Sequence, residues 1–289
     1  MIALGDNNWT IRKVLSWTRG YFADSGIPQP RLEAEILLAH ALAVDRLHLY
    51  LSPEKPLSEE ERNIYRNLVT SRQRGVPLQL LTKEISFLGL RFKIDHNIFI
   101  PRSETEEMVE LILRRTTRDR ELTCLDLGTG AGVIAICLAK FLSLSRVIAI
   151  DYSTEALALA AQNAQLNGVS ERIVFVQSNW FSSVHGKFDL IVTNPPYIIE
   201  DRITTLSKEV RDHDPHIALS GGKDGLEAIT AIINQVPKYV KNSTLLAMEV
   251  GDDQAEKIKE KLDSITEISK VETVNDITGK ERFVLATWQ

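Results

Sequence analysis

The spacing of hydrophobic positions changes along the 289-residue chain, and each change indicates a different kind of structure. Over residues 1–75 the apolar residues recur at helical spacing, which predicts three helices. The second helix is expected over residues 31–44, and Ser58 with Glu61 forms a capping box that opens the third. Because this region has no cluster of catalytic residue types, it favours a docking or lid element, and we expect a helical domain that docks a substrate.

A β-hairpin is predicted over residues 76–100, between the helical region and the rest of the chain. The segment "ISFLGLRFKI" has apolar residues on both sides of Leu88 and Gly89. This pattern is typical of two short strands joined by a tight turn. We expect the hairpin to link the helical domain to a second domain that begins at Pro101.

Residues 101–289 combine strands and helices in alternation. A capping box of Ser103 and Glu106 is predicted to open the first helix. Further along, apolar runs such as "LTCLDLG" and "FDLIVTN" alternate with helical segments such as "TEALALAAQNAQLN". This alternation predicts an α/β fold in which helices cover both faces of a parallel sheet. The last two runs, "SKVETVND" and "RFVLAT", are predicted to form an antiparallel hairpin at the sheet edge.

The composition limits the range of functions. A net charge of −5 argues against broad binding to phosphate backbones, so no stable nucleic-acid binding is expected. Cys124 and Cys137 each lie in an apolar run, which predicts core residues in a reducing compartment. The histidines show no metal-ligand spacing, so no metal is expected. The first ten residues do not resemble a signal peptide, and no uncharged run approaches the roughly 18 residues of a membrane span. We therefore predict a cytoplasmic protein that does not bind membranes.

Two consecutive strand ends carry residues typical of a nucleoside site. The first strand runs into the stretch "DLGTGAG", Asp126 to Gly132, whose glycines let main chain approach a ligand closely. The second strand ends in Asp151, a carboxylate that can accept hydrogen bonds from both hydroxyl groups of a ribose. Ligands bind beyond the carboxyl ends of strands in open α/β sheets, so both features are expected at one edge.

Both features have alternative interpretations. The glycines could form only a tight turn, and Asp151 could cap the helix that begins near Ser153. A Gly-rich turn followed by an acidic residue also suits a nicotinamide dehydrogenase. A pyrophosphate-binding fingerprint, however, would place its third glycine where this chain has Val133. The turn therefore favours a nucleoside over a dinucleotide.

The stretch "TNPPY", Thr193 to Tyr197, follows another buried strand. The side-chain oxygen of Asn194 and the main-chain oxygen of Pro195 are two acceptors that can hold a planar NH2 group. The prolines fix the angle between these acceptors, and Tyr197 offers a face for stacking. If the bound ligand is S-adenosylmethionine, this arrangement predicts methyl transfer to a planar nitrogen, mostly by positioning and without a general base.

Taken together, the Gly-rich turn, Asp151 and "NPPY" resemble class I methyltransferases that act on planar amide or exocyclic amino nitrogens. Longer segments are similar to one family, the peptide chain release factor glutamine N5-methyltransferases, also called PrmC or HemK. These segments extend from about residue 31 to residue 286 and include "RLEAEILLAHAL", "IPRSETEEMVELIL", "SNWF", "ALSGGKDGL" and "LLAMEVGDDQ". The resemblance implies a Rossmann-like seven-stranded sheet, S-adenosylmethionine as cofactor, and a small helical N-terminal domain joined by the hairpin.

The resemblance also implies site residues, carried over position by position. The implied cofactor site consists of Gly128, Thr129, Gly130, Ala131, Gly132, Asp151, Trp180 and Asn194. The implied substrate site consists of Asn194, Pro195, Pro196 and Tyr197, of which Asn194, Pro195 and Tyr197 are expected to be catalytic. The ring of Trp180 could flank an adenine, or it could be a residue at the boundary of the core.

Five further positions lie outside the implied site or depart from the family pattern. Arg102, Glu104 and Thr105 could line the methionine end of the cofactor, although the predicted helix cap explains the same stretch. Lys83 lies where the family usually has glycine, which bears on the conformation of the hairpin. Ser103 lies where the family usually has proline, and serine is a good residue for a helix start.

The resemblance implies an enzyme that methylates the side-chain amide nitrogen of the glutamine in the GGQ motif of class I release factors. We expect a monomer, since nothing in the sequence demands a dimer. One alternative is a nucleic-acid methyltransferase that uses the same NPPY site on exocyclic amino groups of the N6-adenine type. The net charge of −5 and the absence of a basic run argue against it. Another alternative is a binding module without catalysis, against which the intact Asn194 and Pro195 argue.

Overall fold

The computed structural model describes residues 9–117 and 119–289, which form two compact units. One unit ends at Lys83, and the other spans Glu84–Gln289. The expectation that no signal peptide is present concerns mainly residues 1–8, which lie outside the described residues. The division into a docking domain, a linker and a catalytic domain stays a prediction.

The first unit is helical, as predicted. Its capping box at Ser58 and Glu61 is confirmed, since each residue accepts a hydrogen bond from the main-chain nitrogen of the other. Two short helices, α3 and α5, were not predicted because they are too brief to show helical periodicity. The helices are α1 (Ile11–Asp24), α2 (Pro30–Ala41), α3 (Arg46–Leu51), α4 (Glu59–Gln73) and α5 (Leu78–Thr82).

Lys83 follows helix α5 with a left-handed backbone conformation. Its φ is 59° and its ψ is 22°, a region that residues other than glycine rarely adopt. Glycine, which we expect at this position in the family, would adopt the conformation without a steric penalty. The lysine therefore keeps the local geometry at a cost of about 1 kcal/mol.

The second unit begins with the predicted hairpin, formed by β1 (Glu84–Phe87) and β2 (Leu90–Lys93). The helix that follows, α6 (Ser103–Arg115), does not have the predicted capping box, because Arg102 is its N-cap residue and makes no capping bond. The carboxylate of Glu106 instead accepts a hydrogen bond from the main-chain nitrogen of Leu88, at 2.6 Å. The predicted cap was wrong because the turn of the hairpin competes for this carboxylate.

A seven-stranded sheet forms the centre of the second unit, in the order β5-β4-β3-β6-β7-β9-β8. Strands β3 to β7 are parallel, and β9 pairs antiparallel with both β7 and β8. The α/β fold with a terminal hairpin at the edge is therefore confirmed. The strands are β3 (Leu122–Leu127), β4 (Ser145–Asp151), β5 (Ile173–Gln177), β6 (Phe188–Thr193), β7 (Val240–Glu249), β8 (Ile268–Asn275) and β9 (Glu281–Trp288).

Helices follow β3, β4, β6 and β7 in sequence, and two buried hydrophobic clusters flank the sheet. The helices are α7 (Val133–Phe141), α8 (Thr154–Leu166), α9 (Lys208–His213), α10 (His216–Leu219), α11 (Glu227–Gln235) and α12 (Ala255–Asp263). The chain runs outward from β3 through β4 to β5, and then returns to β6 on the other side of β3. The carboxyl ends of β3 and β6 thus meet at the point where strand order reverses, which is where ligands bind in such sheets.

Among the described residues, no helix is both long enough and apolar enough to cross a membrane.

Candidate active site

A cleft of about 790 Å³ lies at the carboxyl ends of β3, β4, β5 and β6. Its volume is in the range of small-molecule sites, roughly 300–1,000 Å³. The segment before α6 and the segment around α10 complete its lining. Of the residues that were predicted for the site, the lining includes Thr105, Gly128, Thr129, Gly130, Ala131, Asp151, Trp180, Asn194, Pro195, Pro196 and Tyr197. The lining does not include Gly132, Arg102 or Glu104.

The Gly-rich turn is held from below by a buried carboxylate. Asp126, at the end of β3, accepts hydrogen bonds from the hydroxyl of Thr129 at 2.6 Å and from the main-chain nitrogen of Ala135 at 3.1 Å. Burial raises the pKa of Asp126 to about 7. The main-chain nitrogens of Gly128 and Thr129 donate to the carbonyl of Ile150 on β4. These contacts fix the turn between two neighbouring strand ends.

Gly130 and Gly132 differ in their surroundings, although both have positive φ. An added Cβ at Gly130, which lines the cleft, would meet no atom within 4 Å. An added Cβ at Gly132 would lie 2.9 Å from the Cβ of Ala160 on α8. Asn163, one turn further along α8, donates to the carbonyl of Ala131 at 2.9 Å. Gly132 therefore serves the packing of α8 against the turn.

Each carboxylate oxygen of Asp151 accepts one hydrogen bond from within the protein. Its Oδ2 accepts a hydrogen bond from the main-chain nitrogen of Gly130 at 2.8 Å, and its Oδ1 accepts one from Ser153 at 2.9 Å. Helix α8 is capped by the side chain of Ser153, which accepts from Ala156, and not by Asp151. Each oxygen of an ionised carboxylate has about two acceptor sites, so one site on each remains for a ligand.

Trp180 lies at the cleft in a strained backbone conformation. Its φ is 49°, which is uncommon for a bulky residue and is a sign of local constraint. The hydroxyl of Ser178 donates to the main-chain oxygen of Trp180 at 2.7 Å, which helps to hold this conformation. The half-buried ring lines the cleft and also packs against the core cluster beneath it. The ring therefore has one side at the cleft, where it could flank an adenine, and also lies at the boundary of the core.

Asn194, the first residue of the NPPY stretch, is connected to a buried carboxylate through a threonine. Its side-chain nitrogen donates to the hydroxyl oxygen of Thr105 at 2.9 Å. The hydroxyl of Thr105 donates in turn to Oε2 of Glu249, at the end of β7, at 2.6 Å. Thr105 and Glu249 are both buried, with 3% and 1% of their surface exposed. This chain of hydrogen bonds joins α6, β6 and β7.

Tyr197, the last residue of the stretch, shares the same carboxylate. Its hydroxyl donates to Oε1 of Glu249 at 3.2 Å. Burial raises the pKa of Glu249 to about 7, against the lowering effect of the bonds from Thr105 and Tyr197. Burial is also the main reason that the pKa of Tyr197 is raised, so its hydroxyl stays protonated at neutral pH. The ring of Tyr197 is half-buried and lines the cleft.

The segment that ends in α10 is attached to the start of α6 by an ion pair. Arg102 pairs with the buried carboxylate of Asp214, and its guanidinium lies over the ring of Phe99 at 5.4 Å. The main-chain nitrogen of Ile100 donates to the same carboxylate. Arg102 thus connects two parts of the cleft wall without lining the cleft itself.

The sequence analysis gave no role to three residues that hold the cleft lining in place, namely Asp126, Glu249 and Gln254. Asp126 and Glu249 both lie at the carboxyl ends of buried strands. A charged residue in that position was an available signal, because ionisable groups are rarely buried without a partner. Gln254 gave no comparable signal. Its side-chain nitrogen donates to the main-chain oxygen of Tyr197 at 2.9 Å, a contact between segments that are far apart in sequence.

The fold defined by this sheet and cleft is that of the class I methyltransferases. Residues 89–214 match the family described as methyltransferase small domain. A methyltransferase from Pyrococcus furiosus has a similar structure, with a TM-score of 0.52 at 17% identity over 80% of this chain and 98% of that one. At this level of identity, the likeness concerns the fold alone.

Relatives with higher identity define the family. The release factor glutamine methyltransferase of Geobacter sulfurreducens is 42% identical over 86% of this chain and 87% of its own length. The enzyme of the same name from Chlorobaculum tepidum is 37% identical over 95% and 96%, respectively. Residues 13–82 match the family described as PrmC N-terminal domain. The chain belongs to the release factor glutamine methyltransferase family.

Proposed function

We propose that this enzyme transfers a methyl group from S-adenosylmethionine to the side-chain amide nitrogen of the glutamine in the GGQ motif of class I release factors. The names of its relatives support the glutamine of a release factor as substrate. The observation that carries the proposal is that the Gly-rich turn, Asp151 and the NPPY stretch line one cleft. We further propose that it acts as a monomer, since the residues that line the cleft belong to one unit of one chain. We also propose that it works in the cytoplasm.

The residues of the cleft fit S-adenosylmethionine. Asp151 has an acceptor site left on each carboxylate oxygen, which suits the two hydroxyls of a ribose. The open space beside Gly130 allows close approach to the main chain. The half-buried ring of Trp180 offers a flat apolar surface for an adenine. When bound, the cofactor supplies an electrophilic methyl group.

The NPPY stretch then positions the nitrogen that accepts the methyl group. The side-chain oxygen of Asn194 and the main-chain oxygen of Pro195 accept hydrogen bonds from the NH2 group of the substrate. The rigid Pro195-Pro196 pair fixes the angle between the two acceptors, and Tyr197 supports the planar amide from one side. An amide nitrogen has little free lone-pair density, so holding it in line is the main contribution of these residues. The displaced proton leaves after transfer, and no basic side chain is required.

We propose that the helical unit docks the release factor. Helix α3 presents the exposed apolar side chains Leu47, Tyr50 and Leu51, which lie on one side of the helix at spacings of three and four residues. Removing residues 1–83 should preserve binding of S-adenosylmethionine in calorimetry but abolish transfer to an intact release factor. Full activity of the shortened enzyme on a folded release factor would contradict docking by this unit.

Replacement of Asn194 tests the function. Asn194→Ala removes an acceptor for the substrate amide but leaves the Gly-rich turn and Asp151 in place. Loss of one preorganised contact at the reacting group costs about 100- to 1000-fold in turnover. The transfer of labelled methyl groups to a release factor should fall by this amount, while the affinity for the cofactor falls much less. Turnover within a few-fold of the original enzyme would contradict the proposal.

A further inference from the structure

We propose that Thr105 and Glu249 are positioning residues that select one of the two orientations of the Asn194 side-chain amide. In the selected orientation the NH2 group faces Thr105, and the oxygen is available to the substrate. This inference rests on the proposed function, because it assigns the oxygen of Asn194 to the glutamine amide. It gives a role to a threonine and a glutamate that the NPPY stretch does not contain.

The number of available protons fixes the direction of the chain. A threonine hydroxyl has one hydrogen to donate, whereas a carboxylate in the ionised form, which Glu249 takes above about pH 7, can only accept. The 2.6 Å bond between Thr105 and Glu249 therefore uses the hydroxyl hydrogen of Thr105. The remaining lone pairs of Thr105 can only accept, so the group of Asn194 that lies 2.9 Å away must be its NH2. The reverse orientation would place two acceptors against each other.

Burial makes this selection effective. Thr105 and Glu249 are almost completely buried, so solvent has little access with which to replace a missing partner in the chain. Tyr197 occupies the other oxygen of Glu249 at 3.2 Å, so both carboxylate oxygens are engaged by residues of the cleft. One carboxylate thus holds the amide and the ring at opposite ends of the NPPY stretch.

The orientation matters because the substrate also presents an NH2 group. With its oxygen toward the cleft, Asn194 accepts a hydrogen bond from the glutamine amide. With the amide reversed, two NH2 groups would face each other, and the acceptor would be lost. A freely rotating Asn194 would spend part of its time in the reversed state. Removing the hydroxyl of Thr105 should therefore lower turnover more than it lowers cofactor binding.

Paired substitutions at Thr105 test the proposal. Thr105→Val keeps the shape of the side chain and removes the hydroxyl, whereas Thr105→Ser keeps the hydroxyl. We expect Thr105→Val to lower kcat on a release factor by about 10- to 100-fold. Its affinity for S-adenosylmethionine should stay within about threefold, and Thr105→Ser should recover most of kcat. Thr244, a buried threonine of β7 outside the cleft lining, provides a matched control in Thr244→Val. This control should lose stability but retain kcat.

Two results would overturn the proposal. One is a Thr105→Val enzyme that keeps kcat within about threefold, and the other is a Thr105→Ser enzyme that is as impaired as the valine variant. If the wild-type enzyme transfers no methyl to glutamine, the proposed function fails instead.

A second measurement does not depend on enzyme activity. In wild-type protein labelled with ¹⁵N asparagine, one side-chain NH2 proton of Asn194 should exchange slowly with solvent because it is bonded to Thr105. The signal is assigned by its loss in Asn194→Ser. Exchange of both protons at the rate of an exposed asparagine would overturn the positioning role, whatever the substrate is.

Discussion

The side chain of Gln254 donates a hydrogen bond to the main-chain oxygen of Tyr197, at 2.9 Å. The same nitrogen donates to the carbonyl of Gly225 at 3.1 Å, and the side-chain oxygen accepts from the main-chain nitrogen of Gly251 at 2.9 Å. Ile198, the next residue of the chain, forms an isolated β-bridge with Ser220. The end of the NPPY stretch is therefore fixed by loops that lie far away in sequence.

Replacing Gln254 should affect both stability and turnover. Gln254→Leu leaves two carbonyl groups and one main-chain nitrogen without their partner, each at a cost of about 1–3 kcal/mol if no water replaces it. We expect the free energy of unfolding to fall by about 3 kcal/mol or more in a denaturant titration. Turnover should fall as well, because Tyr197 loses its main-chain support. Gln162→Leu, at an exposed position of α8, is the control and should change neither quantity by more than a small amount. Equal behaviour of the two variants would contradict the role of Gln254.

Alanine substitutions at two glycines should separate cofactor binding from packing. Both Gly130→Ala and Gly132→Ala place a side chain at positive φ, which costs about 1–2 kcal/mol. Gly132→Ala also introduces a close contact with Ala160, so it should lower stability further, by a total of about 2–4 kcal/mol. Gly130→Ala should instead weaken binding of S-adenosylmethionine by about tenfold or more, because its added methyl group enters the cleft. Calorimetry and thermal unfolding of both variants measure the two effects. Similar stability losses with no difference in cofactor affinity would show that Gly130 is also a packing residue.

Asp151→Ala should weaken cofactor binding by roughly one to two decades, as expected for the loss of charge-assisted hydrogen bonds to a ribose. Part of the loss would come from Gly130, whose main-chain nitrogen would lose its acceptor. Asp151→Asn retains one acceptor oxygen. Its affinity for S-adenosylmethionine should lie between that of the alanine variant and that of the wild type. Unchanged affinity for S-adenosylmethionine, or equal affinity for a nicotinamide dinucleotide, would refute the assignment.

The pattern of the sequence predicted the sheet and the strand ends because both depend on local periodicity and on the general rule for open α/β sheets. It did not predict the contacts between distant segments. Glu106 fits a capping pattern but bonds to Leu88 in the hairpin, and Thr105 meets Glu249 across a separation of 144 residues. Such pairings depend on how the completed sheet brings its edges together. Sequence patterns that span only a few residues therefore could not predict these pairings.

The raised pKa of Glu249 should make stability depend on pH. Its pKa is about 7 in the folded protein, compared with an ordinary value of 4.5. The folded state therefore holds the proton more tightly, and this contribution to stability is present at low pH and is lost as pH rises through 7. The glutamine of Glu249→Gln does not titrate, so the variant lacks this decrease in stability. Its free energy of unfolding, measured relative to the wild type, should therefore increase by roughly 2–4 kcal/mol between pH 5 and about pH 8. Asp126, whose pKa is also raised, should leave a residual pH dependence in this variant.

The turnover of the wild-type enzyme should also depend on pH. When Glu249 is protonated, Thr105 is no longer required to accept a hydrogen bond from Asn194. At saturating cofactor, kcat should therefore decrease as the pH is lowered below about 7. The other groups that act on Glu249 are Tyr197, Glu104 and Arg282. A glutamine amide does not titrate in this range. A kcat that is constant from pH 6 to about pH 8 would contradict this account.

Tandem mass spectrometry of a release factor after incubation with the enzyme and isotopically labelled S-adenosylmethionine tests the central claim most directly. The account predicts one labelled methyl group on the side chain of the glutamine in the GGQ motif, and no label when that glutamine is replaced by alanine. Total RNA and DNA incubated in parallel should remain unlabelled. Label in nucleic acid together with an unmodified release factor would contradict the account and support the alternative of a nucleic-acid methyltransferase.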